Sequence, residues 1–156
     1  MNTQHSVVLV KPDGLQRGLV GEIISRFERK GLKLVAIKMM NLTDQILDEW
    51  YAHHQGKPFF PRLKSFMQVA PNVAMLWEGL DCVQTVRMLT GITKAREAEA
   101  GSIRGDLAVS QQLNLIHASD SVEMAQKEEK LIFSREEIFE YKKDIEVFVY
   151  SEEERE

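Results

Sequence analysis

Short apolar runs that alternate with helical periodicity constrain this chain's fold more than any other feature of its sequence. Val7-Val8-Leu9-Val10 is a β-branched run halted by Pro12, Asp13 and Gly14, so it reads as a buried strand ending in a turn, with Lys11 at its tip. From Leu19 onward, Leu19, Ile23, Ile24 and Phe27 share one helical face, and Gly31 is placed to stop that helix. Leu32 to Met40 is rich enough in Val and Ile for a second strand, and Asn41, Thr43 and Asp44 offer caps for a helix carrying Ile46, Leu47, Trp50 and Tyr51. The stretch Gly56 to Pro61 breaks regular structure yet holds Phe59 and Phe60, two rings to be placed, before a short helix over Leu63 to Met67. Val73 to Trp77 reads as a third strand, followed by a helix on Val83, Val86 and Leu89 that Gly91 ends.

Periodicity then vanishes. Ile92 to Leu113 shows neither period, and patternless stretches of that length in compact domains are usually functional or disordered. Leu115-Ile116 is a brief strand candidate, and Asp120-Ser121-Val122-Glu123 offers a capping box for a helix reaching Phe133, a device repeated by Ser134 and Glu137. Ile145, Val147 and Val149 alternate as in a late strand, ahead of an acidic tail, Glu152 to Glu156, expected to be solvated and frayed. No internal repeat or linker interrupts the series, and 156 residues with 44% apolar side chains suffice for one sizeable core but not for two ordinary domains. The expectation is an α/β or α+β sandwich over residues 1–150, helices covering a sheet, with 151–156 as the tail.

Charge and cysteine usage exclude several classes. The formal net charge is −4, with no basic stripe, so no whole-molecule field attracts a polyanion; a nucleic-acid partner is not expected, and any bound phosphate is held locally. Cys82 has no partner for a disulfide or a metal pair, which fits a small buried side chain in a reducing compartment. Residues 1–10 show no basic segment leading into an apolar one, and no run approaches the roughly 18 apolar residues of a membrane span, so a cytoplasmic protein is expected, with no membrane partner.

Among the four histidines, His117 has the informative setting, between the apolar pair Leu115-Ile116 and the small polar run Ala118-Ser119-Asp120-Ser121. Strand ends facing helix starts are where such proteins hold ligands. An imidazole with an ordinary pKa of about 6.5 is largely neutral at pH 7, and its lone pair can attack phosphorus without a separate base. A carboxylate on the other ring nitrogen would fix the tautomer and offset the developing charge; Glu128 and its neighbour Glu129 are both candidates. His5 lies in the N-terminal segment, while His53 and His54 end an expected amphipathic helix and read as solvated or facing its dipole. A hydrolase built from Ser119, His117 and Asp120 is disfavoured, because near-adjacent residues do not converge and no G-x-S-x-G elbow is present. Arg104 lies in the turn-like Gly101-Ser102-Ile103-Arg104-Gly105-Asp106, with Arg87 and Thr93 just before the long loop, giving cationic and hydroxyl groups suited to phosphate. Neither G-x-x-x-x-G-K-[ST] nor G-x-G-x-x-G occurs, so a P-loop or dinucleotide fold is not expected.

Six strings taken together resemble the nucleoside diphosphate kinase family, over about Val7 to Phe133. They are Val10-Lys11-Pro12-Asp13-Gly14, Gln16-Arg17-Gly18-Leu19-Val20-Gly21, Lys57-Pro58-Phe59-Phe60, Trp77-Glu78-Gly79, Ile103-Arg104-Gly105-Asp106 and Asn114-Leu115-Ile116-His117-Ala118-Ser119-Asp120-Ser121. The resemblance implies an α+β fold, a ferredoxin-like βαββαβ sandwich with an antiparallel sheet covered by helices. It implies Mg2+-dependent ping-pong transfer from ATP and other nucleoside triphosphates to nucleoside diphosphates, with His117 the residue phosphorylated. By the same resemblance, Lys11, Arg87 and Arg104 surround phosphates and sugar, Thr93 donates to phosphate, Asn114 touches the sugar, and Phe59 stacks on the base. Tyr51, Ser119 and Glu128 form the supporting shell, Glu128 holding the histidine. Stacking accepts any base, so broad nucleotide specificity follows, and the metal is expected on the nucleotide's phosphates, with no protein ligand set. A homo-oligomer, hexamer or tetramer, is implied too, with Trp50, Met39 or Val149 conceivable at contacts.

The sequence departs from that family's usual pattern at Ala118, where glycine is common and a methyl requires negative φ. It departs again in the proline-poor loop Lys94 to Ser102, and at Gln112 and Leu113, which replace a frequent Gly-Arg pair. A catalytically inert nucleotide-binding or scaffold protein on the same fold is the competing reading. It requires a damaged site, and His117, Lys11, Arg87, Arg104, Asn114 and Glu128 are all present.

Overall fold

A computed structural model describes residues 1–156. Four strands, β1 (Gln4–Val10), β2 (Lys33–Met40), β3 (Asn72–Gly79) and β4 (Ile116–Ala118), form one sheet in the order β2-β3-β1-β4, every pairing antiparallel. With α2 (Val20–Lys30) after β1 and α5 (Cys82–Thr90) after β3, this is the ferredoxin-like βαββαβ sandwich. The remaining helices are α1 (Pro12–Gln16), α3 (Asp44–Trp50), α4 (Phe60–Met67), α6 (Ile103–Leu107), α7 (Val122–Ile132) and α8 (Glu152–Arg155).

Both faces of the sheet are covered. Val8 and Val10 of β1 join Met75 and Trp77 in a core against α2 and α5, while Val7 and Leu9 join Leu76, Leu47, Met67 and Ile132 in a second core on the opposite face. A strand buried on both sides has no polar alternation, which is why Val7 to Val10 is uninterrupted in sequence. Caps fall where short polar side chains allow: Thr43 accepts from the Ile46 amide, Ser121 from the Met124 amide, and Gly31 ends α2 with φ 103°.

Several expectations are corrected. Pro12 to Gln16 is a short helix with Pro12 at its first position, where the missing N–H costs nothing. The expected box at Asp120 to Glu123 is only half present, because with Ser121 as the cap the third helical residue is Met124, which has no carboxylate to return. The stretch Ile92 to Leu113 contains a 3-10 turn (Ala95–Glu97) and α6, held tightly where the Glu99 carbonyl packs directly on Gly105. The late strand expected at Ile145, Val147 and Val149 is a 3-10 turn, Asp144–Phe148. Val149, just after that turn, covers Gly31, where a Cβ would stand 2.7 Å from its Cγ1, and the segment pairs with no strand of the sheet. The acidic tail is exposed as expected, but α8 is ordered by a capping box between Ser151 and Glu154.

The tip of β1 is fastened to the approach to β4. The Lys11 amide donates to the Leu115 carbonyl (2.9 Å), and the Leu115 amide donates to Asp13 Oδ2 (2.9 Å). Leu115 lies at φ 75°, and Gly14 comes so close that a Cβ would meet Val10 Cγ1 at 2.7 Å and Leu115 O at 2.9 Å. Because backbone and a buried valine block that space, Gly14→Ala should cost about 1–3 kcal/mol of stability, read as a lower urea midpoint with unchanged slope.

Candidate functional site

Strand alternation decides where His117 points. Its neighbours Ile116 and Ala118 belong to the core against α2 and α5, so the imidazole must project to the other face, and its Cα partner Leu9 lies in the core there. That face is covered by α3 and α7. From α7, Glu128 Oε2 lies 2.6 Å from His117 Nε2; from α3, Trp50 Nε1 donates to the same oxygen at 2.5 Å. The Trp50 ring also meets the imidazole edge-on, centroids 5.0 Å apart at 85°. Burial pushes the Glu128 carboxyl up, but hydrogen bonding and charge from His117, with Ser119 and Trp50, outweigh it and hold it below the usual carboxylate range. Glu129, one residue round the helix, instead meets His5 at 2.9 Å, which resolves the choice between the two glutamates.

A cleft of about 350 Å³ opens beside His117. Lys11 Nζ, at its floor, donates to Asn114 Oδ1 (2.5 Å) and the Gln112 carbonyl (3.0 Å). Burial lowers the Lys11 ammonium to about 8, Asp13 opposing and Arg104 adding to the effect. Arg104, on α6, donates to the carbonyls of Gly91 (3.0 Å), Ile116 (2.6 Å) and Asn114 (3.3 Å), so it ties α6 to the end of α5 and to the start of β4 around the cleft. Burial, then Arg87, lowers its guanidinium to about 10 against the pull of Asp120 and Asp13. Arg87, on α5, is exposed and pairs with Asp120 at 2.5 Å. Asn114 donates to the carbonyls of Thr93 (3.1 Å) and Gln111 (2.8 Å), so both its amide hydrogens are committed to the loop. The exposed Thr93 lines the same cleft.

The supporting residues take distinct places. Ser119 accepts from the Val7 amide (3.0 Å) and donates to the Val7 carbonyl (3.3 Å), so its hydroxyl bonds β1 and does not bond His117. With Asp120 on Arg87, no Ser-His-Asp hydrolase exists here. Tyr51 lines the cleft between Trp50 and His54, its phenol pushed up by burial, then by Glu128 and Asp120. Phe60 is buried while Phe59 is 48% exposed, its ring edge-on to His54 at 5.0 Å, outside the cleft's lining but beside its mouth. Ala118 keeps negative φ, so its methyl is tolerated. Gln112 supplies Lys11 with a backbone carbonyl that any residue could offer, and Leu113 is exposed.

Sequence reasoning missed His53 and His54, which line the cleft from a 3-10 turn instead of ending a solvated helix. It also missed the Trp50 contact, although a buried indole N–H needs an acceptor and that requirement was visible. Trp50 is 6% exposed, so it is not a surface contact for another copy.

Comparisons with known proteins identify the family and the fold. Residues 4–138 match the family described as "Nucleoside diphosphate kinase". The chain is 51% identical over 141 residues to the nucleoside diphosphate kinase of Staphylothermus marinus, covering 90% of this chain and 100% of that one. It is 45% identical over 148 residues to the Saccharomyces cerevisiae protein of that name, covering 95% and 97%. Among solved structures, a halophilic nucleoside diphosphate kinase from Halobacterium salinarum in complex with CDP superposes with a TM-score of 0.93 at 42% identity, covering 96% of this chain and 100% of that one.

Lys11 ties the cleft's anion affinity to pH. Its ammonium is present below about 8 and lost above, and an anion favours the protonated form, so binding above pH 8 takes up a proton. Sulfate, whose own charge is constant over this range, should bind progressively more weakly above pH 8, approaching about tenfold per pH unit. In Lys11→Gln the affinity should be low and flat from pH 7 to 9.5, checked by titration calorimetry.

Proposed function

Because the chain belongs to the nucleoside diphosphate kinase family and is a phosphotransferase of that activity, we propose that it works by ping-pong transfer through a phosphohistidine at His117. One contact carries this assignment: Glu128 Oε2 engages His117 Nε2 at 2.6 Å, which leaves Nδ1 as the nitrogen to meet phosphorus. The Nδ1 lone pair forms the N–P bond as the bond from the γ-phosphorus to its bridging oxygen breaks, and the nucleoside diphosphate leaves. A terminal phosphate oxygen of a second nucleoside diphosphate then attacks the phosphohistidine, and the imidazole is restored. The Nε2 proton stays in its bond to Glu128 throughout, so positive charge on the ring is offset where it develops.

The surrounding groups suit a loose transition state, whose charge spreads over the equatorial phosphoryl oxygens and needs positioned cations more than acid–base chemistry. Lys11, Arg87 and Arg104 supply the cations, Thr93 a hydroxyl and Asn114 a sugar contact through the second lone pair of Oδ1, whose first accepts from Lys11. Phe59, half exposed at the mouth, presents a face on which any base can stack, which supports broad nucleotide specificity. Tyr51 and Ser119 brace the histidine's surroundings. No group of three potential metal-ligating side chains assembles anywhere in the chain, and the cleft's carboxylates are Asp120 and Glu128. That donor set fits Mg2+ carried on the nucleotide's phosphates, where it would neutralise charge on their oxygens, with Asp120 the side chain to face it.

Assembly into a homo-oligomer, hexamer or tetramer, is supported by the edge strand β2, whose Ile37 and Met39 are 49% and 62% exposed. The unpaired Cys82 supports a cytoplasmic setting; its buried thiol donates to the Trp77 carbonyl and is pushed up to about 12, chiefly by burial. No helix is long and apolar enough to cross a membrane.

Incubating the protein with Mg2+ and γ-labelled ATP should place acid-labile label on the wild type and none on His117→Ala, and unlabelled GDP should release it as GTP. Glu128→Gln should accept label about 10- to 100-fold more slowly. Equal labelling of His117→Ala would falsify the assignment of the nucleophile.

A further inference from the structure

A single carboxylate oxygen carries two buried donors, and only one belongs to the histidine. Glu128 Oε2 accepts from His117 Nε2 at 2.6 Å and from Trp50 Nε1 at 2.5 Å, while Glu128 Oε1 is buried with no protein partner. The carboxylate is therefore held through one atom by groups from two elements, α3 and β4. Trp50 is fixed in turn: it is 6% exposed, packs in the core with Leu47 and Met67, and lies parallel to Tyr51 with centroids 6.0 Å apart. We propose that Trp50 is a positioning residue for phosphoryl transfer, whose indole N–H pins Glu128 Oε2 against His117 and limits how strongly that oxygen draws the Nε2 proton. This rests on the reading of His117 as the nucleophile oriented by Glu128.

The chemistry follows from sharing one acceptor. When Nδ1 attacks phosphorus, the ring becomes more acidic at Nε2, and a carboxylate with no second donor would compete better for that proton. A donor already on Oε2 favours the ionised carboxylate and makes it a weaker base, so the proton stays on nitrogen and the charge pair survives the transition state. The indole also fixes the direction of Oε2, so the imidazole has one preferred orientation as well as one preferred tautomer.

The charged and titratable groups around Glu128 are few. His117 faces it from β4, and Glu49 and Tyr51 lie near it on α3 and just beyond. On its own helix Lys127 and Lys130 line a neighbouring groove, and from β1 His5 is occupied by Glu78 and Glu129. Across the cleft stand Lys11, Arg87, Arg104 and Asp120. Of these groups only His117 donates to Glu128; Ser119 also lowers the carboxyl, but its hydroxyl is bonded to Val7 of β1, so the indole is the other donor on Oε2 whose removal acts on that oxygen directly.

Trp50→Phe keeps a large apolar ring and deletes the donor. Its rate of label uptake from γ-labelled ATP in single turnover should fall about tenfold, the scale of one charge-assisted hydrogen bond. Its acid limb should move to higher pH, because a more basic carboxylate both protonates earlier and stabilises the imidazolium. Placed on Glu128→Gln, the same change should have little further effect. In the wild type, the Trp50 indole proton should resonate far downfield and shift in step with that acid limb, a readout independent of any variant's folding. An unchanged rate and profile in Trp50→Phe, a loss equal at every pH, or an indole resonance that ignores the limb would each overturn the proposal. Failure of the wild type to take up label would instead overturn the phosphohistidine reading beneath it.

Discussion

Leu115 is held from both sides by the tip of β1, and the cleft exists because of that clamp. Its carbonyl accepts from the Lys11 amide and its own amide is capped by Asp13, while Gly14 leaves room for the close approach. The φ of 75° that results is unfavourable for a leucine, and the surrounding bonds over-determine it. Turning the chain there sets the register of β4 against β1, which aims His117 at α3 and α7. The same turn brings Asn114 onto Lys11 and places the Ile116 carbonyl under Arg104.

The cations around the cleft are arranged before any ligand arrives. Lys11 and Arg104 are largely buried and lie below their ordinary pKa values for that reason, so the fold holds positive charge where water would otherwise solvate it. Most of their hydrogen bonds go to carbonyl oxygens, which soften the cost without cancelling the charge. A phosphoryl group entering such a site meets donors that need little reorganisation, the condition under which electrostatic stabilisation is most effective. Arg87 differs: exposed and paired with Asp120, it is the cation free to change partners.

Much of this was legible in the sequence. The strands at Val7 to Val10, Leu32 to Met40 and Val73 to Trp77 announce themselves because both faces are apolar or the run is bounded by turn residues, and the family resemblance carried the βαββαβ succession and the antiparallel pairing. What escaped depended on three-dimensional convergence. Period alone could not choose Glu128 over Glu129, since both lie near one face of α7 and β1 and β4 take one each. His53 and His54 looked like the end of an exposed helix, but the chain turns there and lays both rings on the cleft. Ile145, Val147 and Val149 alternate like a strand, yet a glycine gap elsewhere claimed one of them. Local patterns encode which face is apolar; they do not encode which distant surface it meets.

The clamp joins groups 103 residues apart in a chain of 156, since Lys11 bonds Asn114. Closing so long a loop costs conformational entropy before any contact repays it, so the cleft belongs to the late part of folding. A ribosome delivers Lys11 first, then Phe59 and Arg87, and only near the end the imidazole and its carboxylate. An incomplete chain therefore has scattered cations with no cleft to gather them, and the arrangement that sets them beside His117 arrives together with the completed sheet.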